Sequence, residues 1–138
     1  MEEMPKNYDP LTNEPAILQK WLDGGYYKRR EGVGDCTVTI PPPNVTGKLH
    51  MGHATDDSIQ DAIVRMARMR GKSTRWVLGT DHAGIATQTK VDKKLKSEGI
   101  SRLEIGRDKF VDACWDWTHE YGGIIVEQIK RMGCSVDF

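Results

Sequence analysis

Three consecutive prolines, Pro41-Pro42-Pro43, stand between a short β-branched run and a long helical pattern, and they narrow the fold more than any other feature of the chain. Proline has no N–H to give a sheet, so Cys36-Thr37-Val38-Thr39-Ile40 reads as a strand that must end there. Downstream, Ile59, Ala62, Ile63, Met66 and Ala67 recur at helical spacing across residues 52–69, and Gly71 sits where a helix C-cap is expected. Asp56, Asp57 and Asp61 lie towards the start of that helix and Arg65, Arg68, Arg70 and Lys72 towards its end, as the helix dipole prefers. Residues 73–78 read as a second strand. Strand, loop, helix and strand therefore fit into residues 36–79, the size of a βαβ unit, which implies a parallel sheet.

On either side, the pattern is helical. Residues 1–10 read as a lead-in, after which Thr12-Asn13-Glu14-Pro15 has the composition of a helix start. Ile17, Leu18, Trp21 and Leu22 share one face of that helix, and Gly24-Gly25 ends it. Beyond a loop at 79–84, residues 85–97 read as a helix stopped by Gly99, and Ser101-Arg102-Leu103-Glu104 has capping-box spacing. Phe110, Cys114, Trp117, Tyr121, Ile124, Ile125, Ile129 and Met132 then hold a helical period until Gly133, and residues 134–138 start a third strand. The expected fold class is α/β, the first half of a Rossmann-like parallel sheet with flanking helices. Residues 1–35 form a lead-in and helix, and residues 36–138 form the first half of a nucleotide-binding domain whose later strands are missing.

Charge and composition remove other classes. Twenty Lys+Arg balance 20 Asp+Glu, which argues against a binder held to nucleic acid by counterion release alone. No apolar run reaches the roughly 18 residues of a membrane span, and residues 1–10 have no signal-peptide core, so a cytoplasmic protein without membrane contact is expected. Cys36, Cys114 and Cys134 contain no C-x-x-C and read as small buried hydrophobes.

The loop from Ile40 to His53 joins a strand's C-terminal end to a helix N-terminus, where open α/β sheets bind ligands. Free N–H groups and the positive dipole end favour phosphate there, glycine allows close approach, and His50 and His53 can donate to phosphate oxygens. Each residue taken singly also has a structural role open to it. The prolines can simply stop a strand, Gly47 can serve a turn, and the histidines can be surface residues.

The whole string is more specific than its parts. Pro43, Asn44, Val45, Thr46, Gly47, Lys48, Leu49, His50, Met51, Gly52 and His53 resemble the first signature of class I aminoacyl-tRNA synthetases, its four-residue core being His50-Met51-Gly52-His53. Gly79-Thr80-Asp81-His82-Ala83-Gly84-Ile85-Ala86-Thr87-Gln88 is similar to the bacterial valyl members, as are the proline-asparagine lead-in and Tyr8-Asp9-Pro10. The resemblance implies the class I catalytic fold and ATP-dependent activation of valine, with Mg2+ accompanying ATP, followed by transfer to tRNA(Val) by a parent enzyme that acts as a monomer. It implies that His50 and His53 are catalytic, and that Thr46, Gly47, His50, Gly52 and His53 bind ATP. Pro42, Asn44 and Asp81 would bind valine, with Asp81 on the α-ammonium group. No residue is assigned to a metal. A turn-capping role for Asp81 remains open, and His82 and Gln88 are left between structural and ligand-contacting roles.

Some family features are missing from the chain. The second signature, a lysine-rich loop that grips the outer phosphates, is absent, and Lys93-Lys94-Leu95-Lys96-Ser97 imitates it on an expected helix only. Editing and anticodon-binding domains are absent too, so the chain alone is expected to turn over weakly or not at all. Three rivals remain: a small nucleotidylyltransferase sharing the histidine loop, a metal-dependent hydrolase using His50, His53, Asp81 and His82, and a non-catalytic half-site binding module.

Overall fold

The computed structural model describes residues 6–138. In chain order they form α1 (Pro10–Asp23), β1 (Asp35–Thr39), α2 (Met51–Met69), β2 (Ser73–Val77), α3 (Gly84–Ser97) and α4 (Arg102–Arg131). The two strands pair in parallel, with Asp35 opposite Ser73 and Thr39 opposite Val77, and α2 is the crossover between them. The α/β architecture and the βαβ unit read from the sequence are present.

The core lies where both strands, α2, α4 and the closing segment meet: Ile40, Val45, Val64, Trp76, Ile125, Ile129, Cys134 and Val136 are all buried. Trp76 is fully enclosed, and its indole N–H finds the Gln60 side-chain oxygen at 3.2 Å, so its polar atom is satisfied inside the apolar cluster. Cys134 belongs to this core, where burial pushes its thiol up to about 12. Cys36 and Cys114 are only half-buried, which departs from the expectation that all three cysteines are core residues.

Three other expectations are corrected. Helix α1 begins at Pro10, not at the Thr12-Asn13 pair, because the Asp9 carboxylate takes the cap, accepting from the Leu11 N–H at 3.1 Å and from the Thr12 hydroxyl. Residues 134–138 are not a third strand. They run beside β2 with one ladder bond, Asp137 N–H to the Trp76 carbonyl at 3.1 Å, while Ser135 is bound by α2. The Ser135 N–H reaches Asp61 at 2.9 Å, and the Arg65 and Arg68 guanidiniums donate to the Gly133 and Ser135 carbonyls at 2.7 and 2.8 Å.

The same contacts explain the face that α2 buries. Of the stripe Ile59, Ala62, Ile63, Met66 and Ala67, only Ala67 is buried, alongside Asp57 and Val64, whereas Ile59 and Ile63 are 58% and 48% exposed. The face turned inward carries Gln60, Asp61 and Arg68, each with a tertiary hydrogen bond, so a polar network sets the rotation of the helix. Helix α4 itself carries one break. Gly106 adopts φ 79°, a left-handed conformation that suits glycine, and breaks the helix near its start.

Candidate functional site

The sheet does not stop for good at the prolines. After the three residues that cannot donate, pairing resumes as a single parallel bridge between Asn44 and Asp81. The Asp81 N–H gives a 2.9 Å bond to the Pro43 carbonyl, and the Val45 N–H gives a 3.0 Å bond to the Asp81 carbonyl. Two residues from the separate loops read as valine-binding are thus held side by side at the sheet's C-terminal end.

Helix α4 fastens the loop from behind. The Trp117 indole N–H donates to the carbonyl of buried Val45 at 2.7 Å, and the Gln128 side-chain oxygen accepts the Leu49 N–H at 2.9 Å. These residues lie 72 and 79 positions from their partners, and sequence reading gave them no site role. Trp117 was visible only as part of the apolar period of α4, and nothing in the sequence marks Gln128.

The two histidines cap α2 reciprocally. His50 Nδ1 accepts the Gly52 N–H at 3.1 Å, and His53 Nδ1 accepts the His50 N–H at 3.2 Å. Two of the N–H groups that every helix start leaves unpaired are satisfied by imidazole nitrogens. A neutral imidazole that accepts at Nδ1 carries its proton on Nε2, so each ring keeps one N–H donor free to face a ligand. The rings lie 3.9 Å apart between centroids, and burial, followed by the charge of His50, lowers the His53 pKa and favours this neutral form. Gly52 is required by the arrangement: a Cβ there would come within 2.9–3.0 Å of the His50 ring.

Between the proline loop and the first turns of α2 lies a groove of about 270 Å³ walled by Pro41, Pro42, Pro43, Asn44, His50, Gly52, His53, Asp56 and Asp57. It gathers Pro42, Asn44, Gly52 and both histidines of the predicted site. Thr46 and Gly47 are not among its walls, and Asp81 stands beside it through Asn44. Asp56 and Asp57 were read only as helix-dipole charges, although the spacing of Asp57, four residues after His53 on the same helical face, could have placed it there.

Asp81 caps its own turn, one carboxylate oxygen accepting the Ala83 N–H at 2.9 Å, which leaves the other oxygen unbonded among the described residues. The turn holds Ala83 at φ 49°, a conformation that costs an alanine about 1 kcal/mol. His82 turns elsewhere: its ring packs edge-on to Trp115 at 5.3 Å, and with Gln88 it lines a separate hollow between α3 and α4. His119 is exposed and stacks on the same tryptophan. The metal-site rival needs His82 beside His50 and His53, and the structure does not bring them together. The lysine string lies on α3, where Lys96 pairs with Asp92 at 2.7 Å, so it is a helix surface and not a phosphate-gripping loop. A larger hollow of about 700 Å³ between α1 and the end of α4 carries no histidine.

Comparison with known proteins bears on the family and the fold. The sequence model of the family described as "tRNA synthetases class I (I, L, M and V)" matches residues 16–138. The chain is 49% identical over 140 residues to the valine–tRNA ligase of Streptococcus pyogenes serotype M28, covering 100% of this chain and 16% of that protein. Over 138 residues it is also 49% identical to the valine–tRNA ligase of Lactiplantibacillus plantarum, covering 99% of this chain and 16% of the relative. This chain therefore spans about one-sixth of the length of these relatives. Among solved structures, the ternary complex of Agrobacterium radiobacter K84 agnB2 LeuRS with tRNA and LeuAMS superposes with a TM-score of 0.75. That match covers 96% of this chain and 15% of the other at 19% identity, a likeness of fold.

Proposed function

Because the chain belongs to the class I tRNA synthetases of the isoleucyl, leucyl, methionyl and valyl group, we propose that it forms the ATP- and valine-binding half of the catalytic domain of a valine–tRNA ligase. The observation that carries the reading is the reciprocal histidine cap at a positive helix end on the groove wall, which engages Nδ1 of each ring and leaves Nε2 outside the cap. Residues 1–35 serve as lead-in and helix, and residues 36–138 as the first half of the nucleotide-binding domain.

In the reaction so proposed, a carboxylate oxygen of valine attacks the α-phosphorus of ATP. The bond to the bridging oxygen breaks and pyrophosphate leaves; the valyl carbonyl later passes to a ribose hydroxyl of tRNA(Val) as its bond to the phosphate breaks and AMP leaves. The His50 and His53 donors hold the α-phosphate oxygens as charge builds on them, a role in which losing one donor costs on the order of 10²- to 10³-fold in rate. Gly52 supports this by leaving room for the His50 ring, while Thr46 and Gly47 shape the approach to the ATP site. Pro42 offers valine a rigid apolar wall, Asn44 an amide, and Asp81 its free carboxylate oxygen for the α-ammonium group. Mg2+ held by the phosphates of ATP would neutralise part of their charge, and no residue of this chain is assigned as its ligand. The enzyme acts in the cytoplasm, with a monomeric parent.

The test is thermal stability of the chain with a non-hydrolysable valyl-adenylate mimic and with its isoleucyl counterpart. Valyl mimic at 100 times its dissociation constant should add about 2.7 kcal/mol. The His50→Ala variant should lose most of that gain, and the isoleucyl mimic should give less. Equal shifts with both mimics would remove the valine assignment, and no shift would remove the proposed site. The chain alone should show little valine-dependent pyrophosphate exchange, because it lacks a second phosphate-gripping loop.

A further inference from the structure

Asp57 is 4% exposed and lies one helical turn beyond His53 on α2; its carboxylate makes no side-chain hydrogen bond among the described residues and is not fully enclosed, so the little exposure the residue keeps is at the carboxylate. It is nevertheless a wall of the groove, beside Pro41, Asn44, His50 and His53. A carboxylate so nearly enclosed, with its remaining exposure on a groove, is kept mainly where a donor can satisfy it there. The groups closest in sequence do not do so. Asp56 is itself a carboxylate, and the histidines use their Nδ1 atoms on backbone N–H groups of the helix start.

We infer that Asp57 is a substrate-binding residue that accepts a charge-assisted hydrogen bond from an amine or hydroxyl of the ligand in this groove. The inference rests on the groove being the adenylate-forming site proposed above. Phosphates and a carboxylate are repelled by Asp57, so they belong at the exposed histidine end. Besides the adenine amino group, the donors of the substrates are the α-ammonium of valine, which Asp81 also faces, and the ribose hydroxyls of ATP. A groove walled by imidazoles at a helix start and by an acceptor carboxylate orients a ligand that carries both kinds of group. Burial, with Asp56 next to it, raises the Asp57 pKa, consistent with a carboxylate waiting for a donor.

Calorimetric titration of the chain, Asp57→Asn and Asp57→Leu with a sulfamoyl valyl-adenylate mimic tests the assignment, together with mimics lacking the amine or both ribose hydroxyls. Both variants should bind the full mimic at least tenfold more weakly, while Asp57→Asn melts at a higher temperature than the native chain when unliganded. For the native chain, deleting the group that meets Asp57 should cost the same factor. In Asp57→Asn that deletion should cost little more, and the analogue showing this non-additivity identifies the amine or the diol. Native-like affinity of Asp57→Asn, or a loss equal for all three mimics, would overturn the inference while leaving the site proposal standing. Failure of the native chain to bind any mimic would overturn both.

Discussion

At the residue scale, the central observation is that each of the two histidines accepts a backbone N–H of the helix start through Nδ1. His53 has its pKa lowered below 6.5 by burial and by His50, so the unfolded chain binds a proton there before the folded chain does. Stability contributed at this site is therefore present above pH 6.5 and is lost as pH falls through the depressed folded-state pKa. Melting curves at pH 7.5 and 5.5 should show a smaller acid loss for His53→Gln than for the native chain. Equal losses would mean that the cap does not hold the ring neutral. Gly52→Ala separates geometry from stability. The new methyl group displaces the His50 ring, so mimic binding should weaken severalfold, while helix propensity keeps the melting temperature close to native. These histidines were legible in the sequence because a whole string of residues pointed to them. Asp57 was not, since a lone carboxylate on a helix reads as a solvated charge until burial is known.

At the element scale, α4 holds the loop that α2 and the strands present. Trp117→Phe should leave the buried Val45 carbonyl without its donor and cost about 1–3 kcal/mol. Gln128→Leu should do the same to the Leu49 N–H. In both variants, amide exchange across residues 44–50 should quicken while α4 itself stays protected, and unchanged exchange would show that the loop stands on its own. The helices and strands were legible from their periods and terminators. What the periods could not give is the rotation of α2, because its inward face is chosen by Gln60, Asp61 and Arg68, whose partners are Trp76, Ser135 and Tyr27. Apolar spacing is blind to a polar residue that has found a buried partner. The same network explains why residues 134–138 lie beside β2 without forming a regular strand.

At the scale of the whole molecule, one small core supports a site built from three separate parts of the chain. Ile125→Ala, fully buried at the meeting point of α4 and the sheet, should cost about 2–5 kcal/mol, a large share of the stability of a domain this size. Ile63→Gln, on the exposed side of α2, should change stability by less than about 0.5 kcal/mol, although the apolar pattern ranks the two alike. The measurement that bears most directly on the account is long-range proton–nitrogen NMR of the imidazole rings, with and without the valyl-adenylate mimic. The account predicts that His50 and His53 are both Nε2–H tautomers in the free chain, and that both Nε2 signals shift when the mimic binds. Nδ1–H tautomers, or Nε2 signals that stay fixed while the mimic binds, would contradict it.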